Sequence, residues 1–328
     1  LMIRRPPRST QGVSSAASDV YKRQIQTPTF MPVATQGSVK SLSSEDLMDL
    51  GASIILSNVY HLMLRPSINT ISELGGLHKF MNWSSPILTD SGGFQTLSLS
   101  KLVKVSEEGV AFKSHIDGQQ IFMTPELVIE HQAKLGVDIA MVLDHCISPQ
   151  SDYLHTRAAM ERTHNWAIRS KAVKTNTDQS VFAIVQGGID HELRLESART
   201  LTEIDFDGYA IGGLSVGESK DDMYKTVSVT SIVLPEEKPR YLMGVGSPED
   251  IVNCVDYGID LFDCVLPTRV ARNGSLFTKN GRVNVNRSTY RYASDPIEES
   301  CDCYTCSKYS IAYLLSLIHI SEPTRRTP

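Results

Sequence analysis

The sequence predicts an α/β protein and, within that class, a closed (β/α)8 barrel. Short apolar, β-branched runs alternate along the middle of the chain with longer segments of helical period, which is the pattern of parallel βα units. Eight such runs fit into the roughly 290 residues between the two terminal segments. No GxGxxG motif follows the first run, so a dinucleotide-binding open sheet is not indicated.

The predicted strands are apolar runs of five to seven residues, at 29–35, 52–58, 86–90, 138–144, 180–186, 208–213, 240–245 and 259–263. Helix start signals lie between them at Ser43, Thr124-Pro125 and Ser247-Pro248. A Ser or Thr cap, a Pro in the first turn and acids next to it suit the free N–H groups and positive dipole of a helix N-terminus.

Two insertions interrupt the predicted barrel. Residues 91–123 contain a hairpin-like alternation around Asp117-Gly118, and residues 270–310 contain two Asn-Gly turns and a cysteine cluster. Segments 1–24 and 316–328 are rich in Arg, Pro and Ser and resemble adapter sequence, so we exclude them from the fold. We therefore expect a barrel over 25–269 and a C-terminal subdomain over 270–315.

Charge and composition limit the functions to be considered. The net charge of −5 becomes about −10 once the terminal segments, with seven cations and two acids, are set aside. Residues 264–294 nevertheless contain six cations and no acid, which fits either a solvated basic face or a local nucleic-acid contact. No run approaches the ~20 apolar residues of a membrane span. The scattered cysteines suit a reducing compartment, and we expect a cytoplasmic protein.

Polar or glycine-rich motifs follow six of the eight predicted strands, where the active site of such a barrel forms. Each motif alone could cap a helix or permit a tight turn. Together they supply Asp90, Asp144, Asp263 and Gln186, with Phe94 close by in the sequence. Carboxylates and an amide can bind the edge of a heterocyclic base, and an aromatic ring can stack on its face.

The same set of side chains narrows the chemistry. No HxH or HxxE arrangement at these strand ends indicates a catalytic metal, and there is no GxSxG nucleophile elbow. A carboxylate nucleophile with a second carboxyl group as proton donor is the scheme for displacement at a sugar C1′. The sequence therefore predicts glycosyl transfer.

An ordered series of motifs extends this prediction to a family. The segments DSGGFQ, VQGG, IGGLSVGE, LMGVG, FDCVLPTR, ARNGSLFT and CDCYTC occur in this order over residues 90–306. They resemble tRNA-guanine transglycosylases, which exchange a guanine in tRNA for a 7-deazaguanine. The resemblance implies a (β/α)8 barrel with insertions and a zinc-binding subdomain, in agreement with the strand pattern.

The resemblance also implies catalytic roles for two residues. Asp263 would be the nucleophile that attacks C1′ of the target nucleotide and holds the ribose as a covalent ester. Asp90 would be the general acid and base, which assists the departing guanine and then accepts a proton from the incoming base. The exchange would be ping-pong and would take place at the wobble position, position 34, of tRNAs with a GUN anticodon.

Base recognition is implied for a larger group of pocket residues. These residues are expected to contact the base edge, the two ring faces and the 7-substituent. The residues are Asp144, Gln186, Gly213, Leu214, Phe94, Met243, Cys146 and Val216. The pair Cys146 and Val216 is similar to that of bacterial family members that use preQ1 (7-aminomethyl-7-deazaguanine). The bulk of Val216 should exclude the larger queuine.

The C-terminal part of the chain is expected to contact RNA and metal. By resemblance, Arg269 and Arg272 would contact the anticodon loop of tRNA. Cys301, Cys303 and Cys306 have metal-ligand spacing that favours structural Zn2+, with three free thiols as the alternative. The family's fourth ligand, a histidine, would lie beyond residue 328, so we expect an incomplete zinc site and homodimer interface in this chain.

Two alternatives to an active transglycosylase remain. A non-catalytic partner subunit of the same fold would lack the nucleophile, whereas this chain has both Asp263 and Asp90. An RNA-binding or zinc-scaffold protein with a vestigial pocket would bind RNA without exchanging a base.

Overall fold

A computed structural model of the chain describes residues 2–4, 24–99, 102–114 and 116–321, and it confirms the α/β barrel. In the described residues the strands are, in chain order, β1 (Met2–Arg4), β2 (Gln24–Gln26), β3 (Thr29–Pro32), β4 (Ile55–Asn58), β5 (Ile87–Asp90), β6 (Val103–Val105), β7 (Val110–Lys113), β8 (Gln120–Met123), β9 (Ile139–Met141), β10 (Ser180–Val185), β11 (Gly208–Ile211), β12 (Arg240–Leu242), β13 (Leu261–Cys264), β14 (Ser275–Thr278) and β15 (Gly281–Asn284).

Helices follow most of these strands. They are α1 (Ser44–Asp49), α2 (Val59–Leu64), α3 (Ile68–Glu73), α4 (Leu77–Met81), α5 (Gln95–Ser98), α6 (Pro125–Leu135), α7 (Tyr153–Ala172), α8 (His191–Ile204), α9 (Lys220–Val233), α10 (Pro248–Asp256), α11 (Leu266–Arg272), α12 (Tyr304–Lys308) and α13 (Ile311–Ser321). The three predicted start signals are confirmed, because the hydroxyls of Ser43, Thr124 and Ser247 each accept a hydrogen bond from the first turn of α1, α6 and α10.

Eight parallel strands form the barrel sheet in the order β3-β13-β12-β11-β10-β9-β5-β4. Val33, directly after β3, forms a parallel bridge with Leu56 in β4, and the Ala34 N–H donates to the Leu56 carbonyl at 2.6 Å, so the ring nearly closes. All eight predicted strands lie in this sheet. The core inside and around it consists of buried aliphatic and aromatic side chains such as Ile184, Phe182 and Phe262.

Three aspartates at the N-terminal end of the barrel make the same contact. The backbone N–H of Asp138, Asp207 and Asp260 donates to the carbonyl of Ile87, Val181 and Arg240, respectively. The N–H of that same residue donates back to the aspartate Oδ2, at 2.8 Å in each case. We call this pair of hydrogen bonds an aspartate clamp. The clamps join the starts of β5 and β9, of β10 and β11, and of β12 and β13.

The first insertion forms the three-stranded antiparallel sheet β6-β7-β8, and the predicted hairpin is its β7–β8 pair. Gly118 in the turn has φ of +75°, a conformation that favours glycine. The β6–β7 turn is held by α7, because Trp166 Nε1 and Arg169 Nη1 donate to the Glu107 carbonyl at 2.8 and 2.9 Å.

The chain divides into two units, residues 1–264 and 265–328. The second unit contains α11, the β14–β15 hairpin, a 3-10 turn at Ser288–Tyr290, α12 and α13. Among the helices that the structure describes, none combines the length and the hydropathy that a membrane span requires. Most of the two predicted terminal segments, residues 1, 5–23 and 322–328, lies outside the described residues. β1 pairs in parallel with β2, and α13 extends over residues 316–321. The predicted domain boundaries stay predictions.

Candidate active site

The C-terminal ends of the barrel strands bring the predicted carboxyl groups together. Asp90 is the last residue of β5, Asp263 lies near the end of β13, and Asp144 follows β9. The charges of Asp144 and Asp263 both act on Asp90, so the three carboxyl groups share one electrostatic environment. A parallel barrel produces this arrangement because all of its strands end on the same side.

Asp90 is the one of the three whose pKa is affected by the charges of both others. Burial, followed by the charges of Asp144 and Asp263, raises its pKa to about 7, while a hydrogen bond from the Asn58 amide opposes the rise. Asn58 Nδ2 donates to Asp90 Oδ2 at 2.9 Å. Asp90 Oδ1 is buried and has no hydrogen-bond partner within the described residues. A carboxyl group with a pKa near neutrality can both release and accept a proton.

Both hydrogen bonds to the Asp263 carboxylate go to the same oxygen atom. The Tyr241 hydroxyl and the Gly244 N–H both donate to its Oδ1, at 2.6 and 2.7 Å. Burial raises the pKa of Asp263, and these two hydrogen bonds oppose the rise. No hydrogen bond is directed at Oδ2 from the part of the chain that the structure describes, so this oxygen is available to a ligand.

Asp144 and Gln186 form a pair at the next two strand ends. Gln186 Nε2 donates to Asp144 Oδ2 at 2.6 Å, and both side chains are buried. Burial raises the pKa of Asp144 to about 6, against the opposing hydrogen bond from Gln186. The pair presents a carboxyl group and an amide side by side, which is a suitable donor and acceptor set for the edge of a purine.

Glycines allow the backbone to approach these side chains closely. A Cβ on Gly93 would overlap with Asp144 Oδ1, and one on Gly213 would overlap with Gln186 Oε1. A Cβ on Gly212 would lie 3.4 Å from Met243 Sδ, so Met243 is at the same site. The glycine-rich motifs of the sequence are therefore required by close approach here, and a tight turn alone does not explain them.

The remaining predicted pocket residues differ in exposure. Cys146 is buried, and burial, with the Asp144 charge next, raises the pKa of its thiol. Leu214 is buried and Val216 half-buried, whereas Phe94 is 46% exposed. An exposed aromatic ring four residues after Asp90 is free to stack on a ligand.

Sequence reasoning missed several residues of this site. Tyr241, Asn58 and Glu218 contact the predicted residues, and the Glu218 carboxylate accepts hydrogen bonds from the backbone N–H groups of Ser215 and Val216. Glu218 ends the IGGLSVGE segment, in which no local pattern indicates what its carboxylate contacts. Tyr241 and Asn58 lie within predicted strands, where a polar side chain among apolar neighbours was the available signal.

The second unit carries the predicted RNA and metal residues. Arg269 and Arg272 lie in the last turn of α11 and are exposed. The Sγ atoms of Cys301, Cys303 and Cys306 all lie within 4.8 Å of one another. Three thiols at this spacing fit a soft metal ion such as zinc, so the structure provides a candidate metal centre with three ligands.

Comparison with known proteins gives a single result. The family model described as queuine tRNA-ribosyltransferase matches residues 16–325. A queuine tRNA-ribosyltransferase of Thermoanaerobacter sp. (strain X514) is 55% identical over 91% of this chain and 80% of its own length. Those of Herpetosiphon aurantiacus and Pelotomaculum thermopropionicum are 53% and 54% identical, over 91% of this chain and 76% and 80% of their own lengths.

Proposed function

This chain belongs to the queuine tRNA-ribosyltransferase family, and we propose that it is a pentosyltransferase that replaces guanine with preQ1 at position 34 of GUN-anticodon tRNAs, in queuosine biosynthesis. The observation that carries the proposal is the cluster of Asp90, Asp144 and Asp263 at the ends of three barrel strands. Such a cluster offers a nucleophile, a proton donor and a base-binding group within one pocket.

Asp263 is the proposed nucleophile. Its Oδ2, which is opposite the oxygen held by Tyr241 and Gly244, attacks C1′ of the target nucleotide. The bond between C1′ and N9 of guanine breaks, and a new bond joins C1′ to the Asp263 carboxylate as a ribosyl ester. The two hydrogen bonds to Oδ1 orient the carboxylate for this attack.

Asp90 is the proposed acid and base. In its protonated form it gives its proton to the departing guanine, and in its ionised form it takes the N9 proton of the incoming base. That base then attacks C1′, and the Asp263 carboxylate leaves. The raised pKa of Asp90, about 7, supports both roles because both forms are populated near neutral pH. The ping-pong exchange needs no energy-rich nucleotide.

Base binding is assigned to the group around Asp144 and Gln186. These two side chains and the backbone of Gly213 and Leu214 bind the purine edge. Phe94 and Met243 cover its two faces. Glycine at position 213 supports the assignment, because any side chain there would displace the Gln186 amide.

Specificity for the 7-substituent is assigned to Cys146 and Val216. The Cys146 side chain is buried and apolar in character, and the half-buried Val216 supplies branched bulk. An aminomethyl group is small, whereas the cyclopentene ring of queuine would overpack this side of the pocket. We therefore propose preQ1 as the incoming base, and guanine as the base released.

The second unit is proposed to serve RNA binding. Arg269 and Arg272 are exposed cations in a stretch, 264–294, that has no acidic residue, so they can contact phosphates or bases of the anticodon loop. Cys301, Cys303 and Cys306 would hold a Zn2+ ion through their thiolates, and the ion would stabilise the fold of this small unit. We further propose a cytoplasmic homodimer.

Incorporation of labelled guanine into unmodified tRNA with a GUN anticodon tests the proposal. We expect the wild-type protein to incorporate guanine and Asp263→Asn to abolish incorporation, because an amide cannot form the ester. Asp221→Asn, at an exposed position of α9, is the control and should be fully active. In the same assay preQ1 should compete with guanine, and queuine should not.

Each alternative result of this assay would contradict a different part of the proposed function. Exchange that survives Asp263→Asn removes this residue from the nucleophile role. Equal competition by preQ1 and queuine contradicts the assignment of Val216. Binding of tRNA by a wild-type protein that exchanges no base would indicate an RNA-binding scaffold or a non-catalytic subunit.

A further inference from the structure

A buried arginine, Arg194, lies behind the turn that carries Gln186. It belongs to α8 and is fully buried. Its Nε donates to the Gly188 carbonyl and its Nη1 to the Val185 carbonyl, each at 2.8 Å. The guanidinium therefore fixes the backbone on both sides of Gln186. We call this pair of contacts the Arg194 fork.

The same helix holds the turn at two further points. Ser197 Oγ, one helical turn after Arg194, accepts a hydrogen bond from the Gln186 N–H at 3.3 Å and is hydrogen-bonded to His164 at 2.9 Å. A Cβ on Gly187 would lie 2.9 Å from the backbone nitrogen of Arg194, so the turn packs directly on the helix. The backbone from which the Gln186 side chain extends is thus held by α8.

The hydrogen bonds of Arg194 do not fully compensate for its burial. Its Nη2 is buried without a hydrogen-bond partner in the part of the chain that the structure describes. Burial lowers the pKa of Arg194 to about 10, so the group is still charged at neutral pH. A buried charge without full pairing is destabilising, and such groups tend to be found at functional sites.

We infer that Arg194 is a positioning residue for base recognition, which acts through the Val185–Gly188 turn and the Gln186 amide on the edge of the bound purine. The inference rests on the proposed function. Gln186 donates to Asp144 at 2.6 Å, so any displacement of the turn disturbs both groups that bind the base edge. The carboxyl groups Asp90 and Asp263 lie on other strands and keep their places.

Arg194→Met is the main variant, because it keeps an apolar stem of similar length and removes the fork. With tRNA saturating, we expect the KM for guanine to rise about tenfold while kcat changes by less than about threefold. Arg194→Lys, which keeps the charge and can reach one carbonyl, should lie between Met and wild type. Arg199→Gln, at an exposed position of the same helix, is the matched control and should behave as wild type.

A purely structural role predicts a different result. Partial unfolding removes active molecules, so it lowers kcat and leaves KM unchanged, and this pattern in Arg194→Met would overturn the inference. If Arg194→Met does not fold, Arg194→Lys and Ser197→Ala provide the same KM readout. Equilibrium dialysis with guanine separates this inference from the proposed function. If the wild-type protein exchanges no base, the proposed function fails. The guanine Kd of the wild-type protein and of the variants still tests the Arg194 fork, because it does not depend on exchange.

Discussion

Asp90 is a carboxyl group whose surroundings oppose its ionisation. Its pKa of about 7 in the folded protein compares with 3.8 for a free aspartate. Between these two values the folded state binds a proton that the unfolded state has released, so the free energy of unfolding falls as the pH rises from about 4 to about 7. A shift of about three pKa units corresponds to on the order of 4 kcal/mol, part of which belongs to the coupled Asp144 and Asp263.

This linkage predicts that Asp90→Asn stabilises the protein at pH 8 by roughly 1–3 kcal/mol and has little effect at pH 4.5, where Asp90 is already neutral. Urea unfolding at both pH values measures the effect. Trp83 and Trp166, the two tryptophans of the chain, are both buried in the first unit, so their fluorescence reports on the barrel. The exposed Asp221→Asn is the control. An Asp90→Asn protein less stable than wild type at pH 8 would contradict the prediction.

Single residues also show how far the sequence determines the site. Asp90, Asp144 and Asp263 could be predicted because each stands at the end of an apolar run, and position along a strand is visible in the sequence. The contacts of Tyr241 and Arg194 could not be predicted, because their partners, Asp263 and Val185, lie on another strand or on another element. A contact across elements depends on register and helix rotation, which no local pattern encodes.

In the turn after β5, the backbone of Gly93 lies directly against the Asp144 carboxyl group. Because a Cβ on Gly93 would overlap with Asp144 Oδ1, Gly93→Ala must displace that carboxyl group from the base edge. We expect the KM for guanine to rise by about 100-fold, corresponding to about 3 kcal/mol, in the guanine exchange assay.

Gly118→Ala is the matched control for this turn. Gly118 lies in the β7–β8 turn with open space around its Cα, so the new methyl group meets nothing and only the φ of +75° is strained. This variant should lose about 1 kcal/mol in urea unfolding and keep its KM. A Gly93→Ala protein with the same KM as Gly118→Ala would show that Asp144 is not held by this turn.

The strands themselves were predictable in number and order, and less so in extent. The run at 52–58 was predicted as one strand, but β4 begins at Ile55; the run at 138–144 contains only β9, Ile139–Met141. Apolar character continues beyond the sheet ladder because residues such as Ile54 and Leu143 are buried without being paired in a strand. The hydrophobic pattern of a sequence indicates which residues are buried. Where a strand begins and ends also depends on which of these residues pair with a neighbouring strand.

At the scale of the whole molecule, the candidate metal centre and the candidate active site belong to different units. We therefore expect metal removal to affect the second unit selectively. When Zn2+ is loaded onto the chain through the three thiolates, a chelator should remove it and Cys303→Ser should prevent its binding, and either change should weaken tRNA binding. Guanine binding and the tryptophan-detected unfolding of the barrel should change little.

Metal analysis, dialysis with guanine and a tRNA binding assay on the same samples test this expectation. Asp302→Asn changes a residue between two of the cysteines, keeps all three thiols and should retain the metal. Loss of guanine binding together with the metal would contradict the assignment of separate tasks to the two units.

The aspartate clamps at the opposite end of the barrel have a consequence for its construction. They occur at alternate strand interfaces, β5 with β9, β10 with β11 and β12 with β13. The seams between these pairs contain no such clamp in the described residues. Six of the eight strands thus form three double-stranded modules, in each of which a clamp adds to the register set by strand pairing, while β3 and β4 complete the sheet outside these modules. A break or an insertion at a seam leaves every module intact, whereas one within a module separates two strands that fix each other's alignment.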